Sequence, residues 1–472
     1  MGDDSSPAEH IAAMQALASQ YTRGLPSVTT SALQTTQSHK DIPKTIILTG
    51  STGSIGSYLL HLFLSDPSIS HIYCLNRQRS LSPSLPDRQR RIHTSRGLTT
   101  TFPASKVTFL PVDLSAASFS LPQPTYDHLL ATVTHIIHNA WPVNFLLPFS
   151  HFKPQIAAIR NLINFCLPPP HPQPEPYSRI TTPKLFFTST LGVGMNPLAP
   201  HWPSSTHLLP EKILHDWDAP TYTGYAQAKF VAEQVLVTAA ERCGLRVEIC
   251  RLGQITGPVG RKGVWNRGEW FPSLVQSSVF LGAVPGDLGG GGQGTGEKAG
   301  AGELRWVPVD ICAKVMAELV FLDEDGASDE RDEEDWVNDY LGDRASRSDQ
   351  LERKNGVKVW HIANPTPTDY HELLPAIREF LPSTTRVVGC SEWVELLAKS
   401  MNDQKHNPAK KLLVLFQNLA AMGEAGLILP GLDTEETAKR SKVLRDLGPV
   451  KTEWVGAWMK QWSFTGGGRS KM

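Results

Sequence analysis

An α/β fold, with a doubly wound parallel sheet and a smaller, mostly helical C-terminal substrate domain, is predicted by three observations. Short apolar runs recur through residues 41–365, separated by polar turns and helical patterns, the alternation expected of parallel strands and crossover helices. The first of these runs, Ile46-Ile47-Leu48, ends in three glycines at regular spacing, Gly50, Gly53 and Gly56. Beyond Thr366 the apolar residues fall into helical groupings instead, such as Trp393/Leu396/Leu397 and Leu412/Leu413/Leu415/Phe416.

Composition narrows the class. A chain of 472 residues with 40% hydrophobic content can bury a large core. Its net charge of −1 offers no basic field for nucleic acid, and no apolar run is long enough to span a bilayer. The N-terminus lacks the charged and apolar regions of a signal peptide, so a soluble, cytoplasmic protein is expected. The six cysteines are scattered without a CxxC pair and are expected to be buried reduced thiols. Sixteen histidines show no HExxH or clustered ligand spacing, and His135 and His138 fall on a strand, so no metal is expected.

In chain order, residues 1–40 carry a weakly apolar helix, Ile11 to Tyr21, and a Ser/Thr/Gln-rich run expected to act as a tether. The nucleotide-binding body, 41–365, opens with the glycine turn Gly50-Ser51-Thr52-Gly53-Ser54-Ile55-Gly56 between a strand and the helix Tyr58 to Leu64. Gly50 permits the tight turn, Gly53 lets a pyrophosphate approach the backbone and Gly56 allows close helix–strand packing, which is the Rossmann fingerprint for a dinucleotide. The second strand, Ile72 to Leu75, ends in Asn76-Arg77-Gln78-Arg79. An acid there would accept from a ribose 2′-OH; Arg77 instead suits a 2′-phosphate and hence NADPH. Arg88, Arg90 and Arg91 follow on what reads as a solvated, arginine-rich loop, and one of them could share the phosphate.

Strand three, Val107 to Val112, places Asp113 and Leu114 where an adenine edge would lie. Strand four, Val133 to Ile137, runs into His138-Asn139-Ala140-Trp141-Pro142-Val143-Asn144, a polar turn at the carboxyl edge where ligands sit in such sheets. Strand five, Leu185 to Phe187, continues into Thr188-Ser189-Thr190. Strand six, Val247 to Leu252, leads to Gly253-Gln254, and Val357 to Ile362 is the last strand. Residues 287–302 and 323–356 are expected to be mobile insertions, the first glycine-rich and the second acidic, and 366–472 forms the helical domain.

Tyr225 and Lys229 lie i, i+4 on one helical face. A phenol with a pKa of about 10 exchanges protons poorly near neutrality, and an adjacent ammonium would favour its ionised form. Lys229 could also hold the nicotinamide ribose, while Thr190, with Ser189 as its rival, would donate a second hydrogen bond to a carbonyl oxygen. The spacing alone is common on exposed helices, and hydroxyls at strand ends are usually caps. The order glycine turn, Thr190, Tyr225, Lys229 favours catalysis.

The stretches TGSTGSIG, CLNR, HNAWPVN, FFTSTLGV, GYAQAK and RLGQITGP resemble the thioester reductase domains of the extended short-chain dehydrogenase/reductase superfamily. These are the terminal domains of fungal nonribosomal-peptide-synthetase-like enzymes, carboxylic acid reductases and aminoadipate reductases. GVWNRGEWFPSLVQSS and RWVPVD, ending at Asp310, are similar to the fungal branch. The resemblance implies NADPH as hydride donor and an acyl thioester on the phosphopantetheine arm of a carrier protein as substrate. Reduction would give a hemithioacetal that collapses to thiol and aldehyde, with a possible further step to the alcohol. It implies catalysis by Thr190, Tyr225 and Lys229, a cofactor contact at Asn139, a 2′-phosphate role for Arg77 and Arg88, and substrate contacts at Asn144, Gln254 and Trp265. Such relatives usually carry adenylation and carrier domains upstream, for which the stretch before Asp41 is too short. The expectation is therefore a separate or excised reductase, with its carrier in cis or in trans; nothing in the sequence sets the oligomeric state, and a monomer is expected. Two other readings use the same residues: a reductase or epimerase acting on a free small molecule, and a non-catalytic NADP-sensing module.

Overall fold

The computed structural model describes residues 6–27, 43–78, 83–168, 181–199, 208–260, 262–289, 303–322, 357–425 and 431–462. The insertion at 323–356, most of 287–302 and Arg79 lie outside them. Seven parallel strands form the central sheet: β1 (Lys44–Thr49), β2 (Ile69–Asn76), β3 (Val107–Pro111), β4 (His135–His138), β5 (Lys184–Thr190), β6 (Val247–Leu252) and β7 (Val357–Ile362), in the order β7-β6-β5-β4-β1-β2-β3. The order reverses between β1 and β4, where Thr49 is in register with His138, and a crevice opens at the carboxyl end of a sheet at such a switch point. Near-continuous apolar runs suit these strands because helices cover both faces.

Helices α1 (Pro7–Thr22), α2 (Ser54–Ser65), α3 (Leu85–Arg96), α4 (Gln123–Thr132), α5 (Lys153–Cys166), α6 (Gly224–Cys243), α7 (Trp270–Leu281) and α8 (Val309–Val320) account for the crossovers and flanks. On one face α5 and α6 bury Ile159, Leu162, Phe230 and Leu236 against Ile47, Phe187 and Ile249. On the other, α2 and α8 bury Leu59, Phe63, Met316 and Leu319 against Ile46, Leu48 and Phe186.

Residues 85–96 form a helix, not the arginine-rich loop expected from composition; Ser84 caps its start by accepting from the Asp87 amide, and Gly97 ends it at φ +65°. The expected N-terminal helix is present and longer than its apolar pattern, while the Ser/Thr/Gln-rich run expected to be a tether lies mostly outside the described residues. A capping box between Ser6 and Glu9 starts α1, Met14, Leu17 and Ala18 join the core beside α6, and Arg160 of α5 donates to the carbonyls of Tyr21 and Arg23.

The second core draws on two separated stretches. Trp265, Phe271 and Val275 pack with Trp393, Phe416 and Trp458 from α10 (Cys390–Lys399), α11 (Leu413–Glu424) and α14 (Thr452–Gln461). Between and around these lie α9 (Tyr370–Arg378), α12 (Glu435–Arg440) and α13 (Lys442–Arg445). The helical body thus includes the 264–288 stretch as well as the C-terminal helices. All six cysteines are buried and none forms a disulfide. No described helix is long and apolar enough to cross a membrane.

Candidate active site

The glycine turn is built by close approach. Gly50 has φ +73°, and a Cβ there would come within 2.8 Å of the Asn139 carbonyl oxygen on the neighbouring turn. A Cβ on Gly56 would overlap the Gly50 carbonyl oxygen, so the first turn of α2 lies directly on the end of β1. Gly53 is the N-cap of α2, and its amide donates to Gly50 O at 2.8 Å. Ser51 is fully buried: its hydroxyl donates to Gln89 Oε1 at 2.9 Å and accepts from Asn76 Nδ2 at 2.9 Å, fastening the turn to β2 and α3. Ser54 and Ile55 occupy the first turn of α2, Ile55 packing partly into the core.

A cleft of about 730 Å³ opens over this turn, lined by Gly50, Thr52 and Gly53 at one side and by Arg77, Arg88, Asp113 and Leu114 at another. Arg88 Nη1 donates to the Arg77 carbonyl at 3.1 Å, so the end of β2 and the start of α3 meet at the cleft wall. Arg90 instead pairs with Asp87 at 2.7 Å in solvent. Asp113 Oδ1 accepts from the Ser115 amide and hydroxyl at 2.9 and 2.6 Å, a local turn that fixes this wall. Asn139, Ala140, Trp141 and Pro142, on the turn beside Gly50, also line the cleft. Thr49 Oγ1, bonded to His138 Nδ1 at 3.0 Å, accepts both the Asn139 and Ala140 amides at 3.0 Å and so pins that turn to β1.

Thr190 ends β5 in register with Leu252, its hydroxyl accepting from the Gly192 amide at 3.3 Å. Ser189 points to the opposite face, where it donates to Glu233, itself ion-paired with Arg251 at 2.8 Å. Strand alternation therefore separates the two candidate hydroxyls. The Gly192 carbonyl accepts from the Thr221 amide at 3.0 Å, which draws the end of β5 to the loop before α6, and Thr223 caps α6 through the Ala226 amide at 3.2 Å.

On α6, Tyr225 and Lys229 share a face as their spacing predicts, but the electrostatics differ from the expectation. Tyr225 is buried beside Phe145 and Phe152, with ring centroids 5.2 and 6.3 Å away, and burial pushes its phenol above the ordinary tyrosine value. Lys229 Nζ lies 6.0 Å from the Tyr225 ring centroid, donates to the Thr188 carbonyl at 2.5 Å, and sits over the rings of Trp141 at 4.1 Å and Phe187 at 4.5 Å. Burial holds its ammonium well below the ordinary lysine range, partly countered by Glu233. The lysine therefore does not lower the phenol here; desolvation alone raises it and keeps Tyr225 protonated, the state a proton donor needs.

Of the three expected substrate contacts, Gln254 and Trp265 both reach Glu269. Asn144 is exposed, its Oδ1 accepting from the Leu146 amide at 3.0 Å. Trp265 is 2% exposed, packed among Phe271, Trp306, Trp458 and Trp462 with centroid distances of 5.1–5.6 Å, so its ring is part of the second core. Gln254 lies two residues past β6; its Nε2 donates to Ile255 O at 2.9 Å, and its Oε1 accepts from Trp270 Nε1 at 2.6 Å.

Two groups escaped the sequence reading. Arg96, in the last turn of α3, donates to the Gly53 carbonyl at 2.7 Å and the Ser57 hydroxyl at 2.6 Å, clamping the glycine turn from a residue outside the Arg88–Arg91 cluster. Glu269, at the N-cap of α7, accepts from Trp265 Nε1 at 2.8 Å and sits 3.5 Å from Gln254 Nε2. Burial pushes its carboxyl from 4.5 up to about 7. Between those two pH values the folded protein holds a proton that the unfolded chain releases, so Glu269 lowers stability as pH rises through that window. Thermal melting across it is expected to fall less steeply for Glu269→Gln than for the wild type; parallel curves would contradict a buried, proton-holding Glu269.

With this geometry in place, the chain can be compared with known proteins. The NAD-binding family model described as male sterility protein matches residues 48–316. A carboxylic acid reductase of Neurospora crassa is 32% identical over 455 residues, which is 96% of this chain and 38% of that protein. The chain thus spans less than two-fifths of that relative. Among solved structures, the terminal R domain from the myxalamid PKS-NRPS biosynthetic pathway is similar with a TM-score of 0.66 at 21% identity, covering 96% of this chain and 97% of that one. A thiolation-reductase di-domain from an archaeal non-ribosomal peptide synthetase gives 0.61 at 15% identity, over 97% and 80% of the two chains.

Proposed function

The chain belongs to the NAD-binding family described as male sterility protein, and from that premise we propose that it is an NADPH-dependent reductase that converts a carrier-bound acyl thioester to an aldehyde. The observation that carries the reading is the convergence at one sheet edge of the glycine turn, the Arg77/Arg88 wall, and, behind Trp141, the Tyr225–Lys229 face beside the end of β5. The thioester is supported by the kinds of protein the chain is similar to, a carboxylic acid reductase and a reductase joined to a thiolation domain.

The cleft fits a dinucleotide: the turn leaves no room for a Cβ at Gly50 or Gly56, and of the residues that line it Arg77 and Arg88 would take the 2′-phosphate and Asp113 and Leu114 the adenine side. When bound, NADPH supplies a hydride. Tyr225, kept protonated by burial, gives its proton to the carbonyl oxygen, and Thr190 donates a hydrogen bond to the same atom. Lys229 holds the ribose, and Asn139 lines the approach. Gln254, fixed by Trp270, faces the acyl side, and Trp265 acts there through Glu269.

The test is a panel of acyl-pantetheine, acyl-CoA and acyl-carrier thioesters incubated with NADPH and an aldehyde trap. Trapped aldehyde from the pantetheine and carrier thioesters is expected; NADPH left unconsumed by all of them would overturn the reading. For cofactor choice, hydrogen bonds to a charged group contribute about 1.5–3 kcal/mol each, so Arg77→Ala is expected to weaken NADPH binding by about 10- to 100-fold and NADH binding little. Equal affinity of the wild type for the two cofactors would overturn the choice of NADPH.

A further inference from the structure

Trp141 lines the cofactor cleft, and its ring covers Lys229 Nζ at 4.1 Å. Beside that ammonium two buried polar atoms are left without hydrogen bonds, Trp141 Nε1 on the ring that covers it and His138 Nε2 on the neighbouring strand end. A buried polar group without a partner costs about 1–3 kcal/mol, so two together mark an arrangement that another state can relieve. Lys229 itself has one acceptor among the described residues, the Thr188 carbonyl, and otherwise faces the π surfaces of Trp141 and Phe187. Trp141 packs among rings, stacking on Phe152 at 6.3 Å and meeting Phe187 edge-on at 5.8 Å and His138 at 6.4 Å, with its own polar atom unused.

From this geometry we infer that Trp141 is a cofactor-positioning gate: its indole occupies the passage from the cleft to Lys229, and it must swing aside for the nicotinamide riboside to reach that lysine. The inference rests on the proposed cofactor reading and adds a residue to it. Its exposed neighbours Val143, Phe145 and Leu146 belong to the same turn, whose 147–149 backbone is packed so tightly on Gly224 that a Cβ there would lie 2.5 Å from the Leu147 carbonyl oxygen. The turn is therefore anchored at its far end, and rotation of the indole is the smaller motion. A ligand whose competent state is only partly populated binds with an apparent affinity reduced by that fraction.

A gate and a packing residue make opposite predictions for the association rate. Stopped-flow mixing with NADPH, followed by its fluorescence and without any thioester, is expected to show association to Trp141→Ala at least about threefold faster than to wild type, as removal of a closed fraction implies. Trp141→Phe, which keeps the stacking with a smaller ring, is expected to fall between them and serves if the alanine variant does not fold. Association to the folded variants that is unchanged or slower would overturn the gate while leaving the reductase reading intact. A wild type that does not bind NADPH at all would remove both.

Discussion

Tyr225→Phe is expected to slow hydride transfer to an acyl thioester by about 10²- to 10⁴-fold, the range lost when a general acid and an oxyanion donor are removed together. The ring stays between Phe145 and Phe152, so packing and NADPH affinity should barely change. The buried phenol is held protonated in this site, and its deletion leaves the developing oxyanion with Thr190 alone. Two companions separate the roles. Lys229→Ala should weaken NADPH binding as well as turnover, because the ammonium is proposed to hold the ribose. Thr190→Val, similar in volume, should lower turnover and spare binding. Single-turnover NADPH oxidation with an acyl-pantetheine, beside fluorescence titration of NADPH, distinguishes these outcomes. Wild-type turnover in Tyr225→Phe would mean that another group delivers the proton.

Gly56→Ala should severely weaken cofactor binding. Its Cβ would overlap the Gly50 carbonyl oxygen, lie 2.8 Å from the Gly50 carbonyl carbon and 3.1 Å from Asn139 Nδ2. Two of these three are backbone atoms of the turn itself, which cannot rotate away as a side chain could. Gly50 is in turn wedged at positive φ against Asn139, so relief requires α2 to lift off the sheet. Overpacking of this kind costs about 1–3 kcal/mol, and the displaced helix start would no longer present its amides to a pyrophosphate. Gly53→Ala is the contrast: its nearest atom would be Gly50 O at 3.1 Å and its φ of −72° suits any residue, so the fold should survive and only the approach of a ligand should suffer. Thermal melting and NADPH titration of both variants read the difference. A Gly56→Ala protein that melts and binds like wild type would contradict the packing described for the turn.

The elements that could be foreseen are those whose signal is local. An apolar run ending in Gly50-Ser51-Thr52-Gly53-Ser54-Ile55-Gly56 states its own turn, because left-handed backbone and contact without a Cβ are glycine properties. The seven strands followed for the same reason, being apolar on both faces. Tyr225 and Lys229 had to share a helical face, because four residues return α6 to nearly the same azimuth. The helix at 85–96 is less legible, because its charged, apolar-poor sequence masks a start signal at Ser84 and a stop signal at Gly97.

What the sequence by itself determined is therefore the doubly wound sheet, the glycine turn at its switch point, and which residue types stand at the ends of β2, β4 and β5. Only the tertiary structure decided how those side chains meet. Trp141 came to cover Lys229, from a residue 88 positions earlier in the chain. Desolvation, not the lysine, came to set the phenol of Tyr225, Trp265 joined a cluster with Trp458, and Arg96 reached back to Gly53. The physical reason is that periodicity and turn chemistry act over a few residues, whereas burial and side-chain contact depend on segments that only the packing of the sheet and its helices brings together.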